Sequence, residues 1–143
     1  MTPRQIVLDT NVLIAALRSR QGASFKLLSA IGQETGLALN LSVPLVLEYE
    51  EVAKRPGMVS DLSPKDIDAV IDYLCATAKH QEIFFLWRPL LSDPKDDMVL
   101  ELAVAAGADI ITFNLKDFAG AQTLGVGVYT PQTLLKELGD EHE

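Results

Sequence analysis

The sequence Gln-Ile-Val-Leu-Asp-Thr at residues 5–10 is a short apolar run that ends in two polar residues. An apolar run of this length is typical of a strand buried on both faces, as in a parallel sheet covered by helices. Similar runs cover residues 37–41 and 109–113. Helical patterns lie between these runs, and strands that alternate with helices predict an α/β fold with a mostly parallel sheet of about five strands.

The remaining pattern places each predicted element in the chain. Proline near the first turn and glycine after the last residue help to set the predicted helix ends. In chain order, we predict a strand at 5–10, helices at 11–17 and 23–33, a strand at 37–41, helices opening at Ser42 and Ser63, a strand at 83–87, a helix at 93–106, strands at 109–113 and 126–129, and a helix at 131–138.

Length and composition indicate one globular domain. The 143 residues suffice for a single core, which we place at residues 1–138, with a frayed charged tail at 139–143. Apolar residues make up 48% of the chain, and no apolar run approaches the roughly 20 residues that span a membrane. The first residues lack an export signal, so we expect a cytoplasmic location. Cys75 is the single cysteine and is expected to be a small core residue in a helix.

The charge balance restricts how the protein meets nucleic acid. Twelve Lys and Arg against 20 Asp and Glu give a net charge of −8. This sign disfavours binding of nucleic acid through overall electrostatic attraction. Such a substrate would need local basic residues or metal ions. Lys95, Lys116 and Arg18 are candidates for phosphate contacts, and solvation at the surface is the alternative for each.

Polar side chains follow three of the predicted strands. Asp9, Ser42 and Asn114 come after the first, second and fourth strands, and Asp117 follows in the same turn as Asn114. Parallel sheets bind ligands at the carboxyl ends of their strands, which makes this edge the candidate site. The alternative for Asp9 is a helix cap, and for Asn114 and Asp117 it is a role as turn residues.

Two predicted helices add acidic residues near the same edge. Glu48 lies at the border of the apolar face of its helix, where it either reaches inward or stays solvated at the rim. Asp93, Asp96 and Asp97 open an apolar helix, and the helix dipole explains one or two such residues but less readily a third. Helical phase favours Asp97 as the residue that points toward the sheet edge.

A cluster of carboxylates predicts a bound cation. Neighbouring carboxylates raise one another's pKa unless a cation compensates. Oxygen ligands suit Mg²⁺ or Mn²⁺, and the sequence lacks a Cys and His set for zinc. The sequence also lacks a Gly-x-Ser-x-Gly elbow and a phosphate-binding Gly-Lys loop, and Gly125-Val-Gly127 is a weak dinucleotide signal. His80, predicted at a helix end, and His142, in the tail, are expected at the surface, which disfavours a histidine base.

Four sequence segments, in this order and spacing, resemble the PIN-domain ribonucleases, particularly the toxin-type members paired with antitoxins in prokaryotes. They are VLDTNVLI at residues 7–14, LSVPLVLEYEEVAKRP at 41–56, DPKDDMVLELAVAAGADIITFN at 93–114 and LKDF at 115–118. The resemblance implies a three-layer α/β/α sandwich whose acidic pocket holds Mg²⁺ or Mn²⁺ and hydrolyses RNA phosphodiesters. It also implies an antitoxin partner and favours a homodimer.

The resemblance assigns roles to individual residues. Asp9, Glu48 and Asp97 become the three metal-binding carboxylates, and Asp96 stays an alternative to Asp97. Asn114 stands where many members have a fourth aspartate, and Asp117, in the family's usual DF ending, is the possible substitute. The polar residues expected to orient the first aspartate and its water are Asn11 and Ser42.

Two other functions remain open from the sequence. The first is a non-catalytic interaction domain on the same scaffold. The second is a phosphotransferase that forms an aspartyl phosphate on Asp9. That chemistry usually places a second carboxylate two residues after the nucleophile, and this chain has Asn11 there.

Overall fold

The computed structural model of the chain describes residues 3–32, 36–83, 91 and 93–141. Within these ranges the chain forms a five-stranded sheet, six helices and two 3₁₀ turns. In chain order, the elements are β1 (Arg4–Leu8), α1 (Thr10–Arg18), α2 (Ala23–Ala30), β2 (Leu37–Leu41), α3 (Val43–Ala53), α4 (Pro64–Thr77), β3 (Lys79–His80), α5 (Pro94–Ala106), β4 (Asp109–Ile111), the 3₁₀ turns Leu115–Phe118 and Ala121–Leu124, β5 (Val128–Tyr129) and α6 (Pro131–Glu141).

The sheet has the strand order β3-β2-β1-β4-β5, and every neighbouring pair is parallel. Ile6 in the central strand lies opposite Leu39 of β2 and Asp109 of β4. The chain runs outward from β1 to β2 and β3, then crosses over to β4 on the other side. The carboxyl ends of β1 and β4 therefore border the crevice where such sheets bind ligands. The predicted parallel α/β fold is confirmed.

Helices cover both faces of the sheet. Ile6, Val7 and Leu8 follow one another along β1 and are all buried. Because successive strand residues point to opposite faces, both faces of the central strand are covered. Helix α5 packs on β1, β2 and β4, while α1 packs against α2 and α3.

The helices begin at capping residues close to those predicted. Ser42 accepts a hydrogen bond from the Leu45 N–H at the start of α3, and Ser63 forms a reciprocal capping box with Asp66 at the start of α4. Gly107 ends α5 with a φ of 63°, a left-handed conformation that favours glycine. The Ser42 cap fixes where α3 begins, at the carboxyl end of β2 and so at the sheet edge that carries the acidic residues.

The structure differs from the sequence prediction at the edge of the sheet. Residues 84–87 of the predicted third strand lie outside the described residues, and Ile83 belongs to no strand. The neighbour of β2 is instead β3, which pairs Lys79 with Asn40 and His80 with Leu41. His80 therefore lies in an exposed strand rather than at a helix end.

Three smaller predictions concern Cys75 and the end of the chain. Cys75 is partly buried against the core, as predicted. Helix α6 continues to Glu141, into the segment predicted as a frayed tail, and His142 lies outside the described residues. In the described ranges, no helix has both the length and the apolar character to cross a membrane.

Candidate active site

Asp9 lies where β1 ends and α1 begins, and both of its carboxylate oxygens are engaged. Oδ1 accepts a hydrogen bond from the Thr10 N–H at 2.8 Å, and Oδ2 accepts one from the Thr112 hydroxyl at 2.8 Å. The Thr112 hydroxyl also accepts a hydrogen bond from the Asn114 N–H at 3.0 Å. Asp9 is thus both a helix cap and a nearly buried carboxylate at the boundary between β1 and β4.

Glu48 reaches inward from α3 to the same place. Its Oε2 accepts a hydrogen bond from the Thr10 hydroxyl, and its side chain is only 12% exposed. The next residue, Tyr49, is fully buried and donates a hydrogen bond from its hydroxyl to the Leu8 carbonyl at 2.5 Å. Tyr49 therefore ties α3 to the end of β1 and sets the position from which Glu48 extends.

Asp96 and Asp97 have different surroundings at the start of α5. Asp97 is buried, and its Oδ1 accepts a hydrogen bond from the Leu91 N–H at 2.9 Å. Asp96 is partly buried and feels the charges of Asp9 and Glu48. Helical phase favoured Asp97 for the third carboxylate of the cluster. The structure places Asp96 beside the other charges and gives Asp97 a contact that helps to hold the segment before the helix.

Asp117 completes the acidic cluster from the 3₁₀ turn after β4. Its side chain is exposed, and its charge acts on both Asp9 and Asp96. Asn114, which opens the turn, is also exposed and contacts the site through its backbone: its N–H binds Thr112 and its carbonyl accepts from the Asp117 N–H at 3.0 Å. We define the acidic cluster as Asp9, Glu48, Asp96 and Asp117.

Burial and mutual repulsion make this cluster unfavourable when every carboxyl group is ionised. The pKa of Asp9 is raised, mainly by burial and further by Glu48 and Asp117, although hydrogen bonds from Thr112 and Thr10 oppose the shift. The pKa of Asp96 is raised to about 6 by burial and by the charges of its acidic neighbours. A bound cation would remove this repulsion.

The donor atoms of the cluster fit a hard divalent cation. All are carboxylate oxygens, the ligand type that Mg²⁺ and Mn²⁺ prefer. Among the described residues, no group of three Asp, Glu, His or Cys side chains is already arranged as a metal cage. Glu48 is held by Thr10 on one oxygen, and its other oxygen lies 3.9 Å from the Lys95 ammonium group. Metal binding would therefore require side chains of the cluster to turn toward the ion.

Basic side chains lie near the cluster on α5 and on the 3₁₀ turn after β4. Lys95 on α5 is 59% exposed, and Lys116 lines a polar cavity of about 360 Å³ together with Asp96 and Asp117. Arg18, at the end of α1, donates a hydrogen bond from Nε to the Met58 carbonyl at 2.7 Å. Lys95 and Lys116 are thus near the acidic edge, which is where an anionic substrate would need them, whereas the side-chain contacts given for Arg18 are with Met58.

Ser42 and Asn11, the two polar residues expected to orient Asp9, make contacts with other residues. Ser42 is buried and caps α3. The Asn11 side-chain oxygen accepts a hydrogen bond from the Phe113 N–H at 3.5 Å, which links α1 to the end of β4. Thr10 and Thr112 are the residues that contact the carboxylates, and sequence reasoning did not single them out. Thr112 could have been found from the sequence, because it is a polar residue near the end of the apolar run at residues 109–113.

The sequence over residues 5–116 matches the family described as PIN domain. The chain belongs to the PIN domain family. The match contains Asp9, Glu48 and Asp96, and it ends one residue before Asp117. No curated protein matches the sequence.

Solved structures share the PIN fold at low sequence identity. One is the structure of VapBC2 from Rickettsia felis bound to a DNA fragment from the VapBC2 promoter. Its sequence is 14% identical to this chain, and the two structures match with a TM-score of 0.60 over 87% of this chain and 96% of that chain. VapBC-1 from nontypeable Haemophilus influenzae is 16% identical, with a TM-score of 0.57 over 90% and 98%. A domain of a functionally unknown protein from Methanocaldococcus jannaschii is 16% identical, with a TM-score of 0.55 over 89% and 90%. At these identities the likeness shows the fold alone.

Proposed function

We propose that this PIN domain is a divalent-metal-dependent endoribonuclease and the toxin of a toxin–antitoxin pair. The observation that carries the proposal is the acidic cluster itself. Four elements of the chain bring carboxyl groups to the carboxyl ends of β1 and β4, and burial and repulsion raise the pKa of Asp9 and Asp96 there. Such a costly arrangement of like charges is typical of a functional site.

In this proposal the acidic cluster binds the metal ion. Asp9, Glu48 and Asp96 would hold it, with Asp117 at the exposed side. When bound, a divalent cation lowers the pKa of a water molecule and neutralises charge on the scissile phosphate. Thr112 and Thr10 fix the orientation of Asp9 through their hydrogen bonds to its two oxygens. We assign the third position to Asp96 rather than to Asp97, because the charges of Asp9, Asp117 and Glu48 act on Asp96 and contribute to raising its pKa.

The proton of the attacking water goes to a carboxylate in this mechanism. Of the two histidines, His80 lies in the exposed strand β3 at the sheet edge, with its ring Nε2 2.7 Å from the Cys75 carbonyl. Asp117, at the exposed side of the cluster, would accept this proton, because Asp9, Glu48 and Asp96 hold the ion in this proposal. Lys116, which lines a cavity together with Asp96 and Asp117, is the residue that would contact a substrate phosphate in this proposal. Local cations of this kind are needed because the chain carries a net charge of −8.

The toxin role rests on the family and on the fold likeness to the two VapBC structures, each of which is covered almost completely. An antitoxin is accordingly the proposed protein partner. The expected result is that expression of the chain alone arrests growth and that Asp9→Asn removes the arrest at equal protein level. Equal toxicity of the two proteins would contradict the proposal.

Cleavage of single-stranded RNA tests the enzymatic part. The wild-type protein should cut RNA with Mg²⁺ or Mn²⁺ and not with EDTA, and Asp9→Asn should reduce the rate more than about a hundredfold. Asp61→Asn, which removes an exposed acidic residue between α3 and α4, is the matched control and should keep the wild-type rate. Cleavage by Asp9→Asn at the wild-type rate would refute the mechanism.

A paired comparison tests the choice between the two aspartates on α5. Asp96→Asn should lose metal-dependent cleavage, whereas Asp97→Asn keeps an oxygen that accepts the Leu91 hydrogen bond and should retain most activity. The reverse result would return the third position to Asp97.

A non-catalytic PIN-like interaction domain is the second candidate. It is favoured by the observation that no metal cage is already formed among the described side chains. Calorimetric titration with Mn²⁺ separates the two functions. The nuclease requires binding that weakens in Asp96→Asn, whereas the interaction domain predicts no binding to either protein.

A further inference from the structure

A second cavity lies directly beside the acidic cluster. It has a volume of about 640 Å³ and is bounded by α1, the end of α3 and the turn after β4. Ile14, Met58 and Phe113 contribute apolar walls, and Asn11 and Arg18 contribute polar groups. This volume is within the range of about 300–1,000 Å³ that is usual for ligand pockets.

The cavity meets the acidic cluster at Thr10. Thr10 lines the cavity, and its hydroxyl donates a hydrogen bond to Glu48 of the cluster. The Phe113 N–H and the Asn11 side-chain oxygen join the two walls at 3.5 Å. A ligand in the cavity would therefore lie next to a phosphate held at the acidic cluster.

The turn after β4 exposes one aromatic side chain and buries the other. Phe118, at the end of the 3₁₀ turn, is 1% exposed and belongs to the core, whereas Phe113 is 39% exposed at the cavity. Core packing therefore accounts for Phe118, while Phe113 offers a surface on which a flat ligand can stack.

Arg18 adds a positive charge to the same cavity. The Met58 carbonyl accepts a hydrogen bond from its Nε, and the Met58 sulfur lies 3.4 Å from one of its terminal nitrogens. The guanidinium group is thus positioned at the wall rather than free to move along the surface. A cation beside an aromatic surface matches the chemistry of a nucleotide, which has a flat base and an anionic phosphate.

We propose that this cavity binds an unpaired base of the RNA strand next to the cleavage site, with the base stacked on Phe113 and the adjoining phosphate near Arg18. The proposal rests on the ribonuclease function proposed above and adds a subsite for one base beside the cleaved phosphate. A base within a duplex cannot enter, because its faces are covered by neighbouring base pairs. The charge of Arg18 favours a nucleotide over an apolar peptide segment.

Steady-state cleavage of a short single-stranded RNA with a mapped cut site tests this assignment. Phe113→Ala should raise KM about tenfold or more, the usual loss for one stacking contact, with a smaller change in kcat. Phe113→Tyr should keep the wild-type KM. Tyr73→Ala is the matched control, because Tyr73 is an aromatic residue on α4 that is 50% exposed. Equal thermal unfolding temperatures exclude a folding defect, and Phe113→Leu replaces Phe113→Ala if that variant unfolds.

Abasic substitutions in the RNA show whether a base is the group that Phe113 contacts. One abasic position beside the cut site should raise KM as much as Phe113→Ala does, and the two changes together should add little. Full additivity at every position, or an unchanged KM in Phe113→Ala, overturns the proposal. Wild-type protein that cleaves no RNA with Mg²⁺ or Mn²⁺ refutes the ribonuclease function itself, which distinguishes that failure from failure of the cavity assignment.

Discussion

Replacement of Asp96 by asparagine should stabilise the metal-free protein at neutral and alkaline pH. The pKa of Asp96 is about 6 in the folded protein against an ordinary value of 3.8. The folded state therefore binds more protons than the unfolded state between these values, and the contribution of Asp96 to stability falls as pH rises from about 4 to about 6. The full shift corresponds to roughly 3 kcal/mol, which solvent screening of this partly exposed group reduces to about 1 kcal/mol.

The assay is denaturant unfolding in EDTA at pH 8 and at pH 4. At pH 8, Asp96→Asn should raise the free energy of unfolding by about 1 kcal/mol and the melting temperature by about 3 °C. At pH 4 the wild-type Asp96 is largely protonated, so the difference should nearly vanish. Asp61→Asn, at an exposed position outside the acidic cluster, controls for the change in net charge. Equal or lower stability of Asp96→Asn at pH 8 would refute the reasoning that the cluster is repulsive without a cation.

Two further substitutions test contacts at β4 and its neighbours. Gly127→Ala should lower the free energy of unfolding by about 1–3 kcal/mol, because a Cβ at Gly127 would lie 2.8 Å from the Asp109 carboxylate. Gly120→Ala is the control: a Cβ at Gly120 meets no atom within 4 Å, so the free energy of unfolding should change little in the same denaturant assay. Thr112→Val should reduce the rate of RNA cleavage about 10–100-fold, because Asp9 loses the hydrogen bond from the hydroxyl that orients it. Thr112→Ser keeps a hydroxyl and should cleave RNA at close to the wild-type rate. Wild-type kinetics in Thr112→Val would contradict this role of Thr112.

The central strands and the position of Asp9 followed directly from the sequence. The consecutive apolar residues at 6–8 put apolar side chains on both faces of the strand, and the first polar residue after them must lie at the carboxyl edge of the sheet. The structure shows Asp9 there as a helix cap and as a member of the acidic cluster. These two interpretations of Asp9 were alternatives in the sequence, and both describe the same side chain.

The edge strand β3 was not predictable in the same way. Lys79 and His80 are exposed polar residues, and two residues are too few for an alternating pattern. Their strand geometry depends on backbone pairing with Asn40 and Leu41, which is a tertiary contact. The apolar residues from Ile83 onward have a stronger strand pattern than Lys79 and His80, so the third strand was predicted at residues 83–87 instead.

The proposal that favours Asp96 over Asp97 depends on contacts that helical phase does not contain. Helix α5 buries Val99, Leu100 and Leu102, which are spread around more than one side of the helix, so its apolar residues define no narrow face. The hydrogen bond that occupies Asp97 comes from Leu91, which precedes the helix. Neither the packing of that segment nor the proximity of Asp96 to Asp9 is encoded in a local pattern.

A crystal structure with bound Mn²⁺ tests the central claim most directly, because the ion is located by its anomalous scattering. We predict one strong peak within coordination distance of carboxylate oxygens from Asp9, Glu48 and Asp96, with loss of the peak in Asp96→Asn crystals. A peak elsewhere, or no peak at saturating Mn²⁺, would contradict the claim that these carboxyl groups form the metal site of a nuclease.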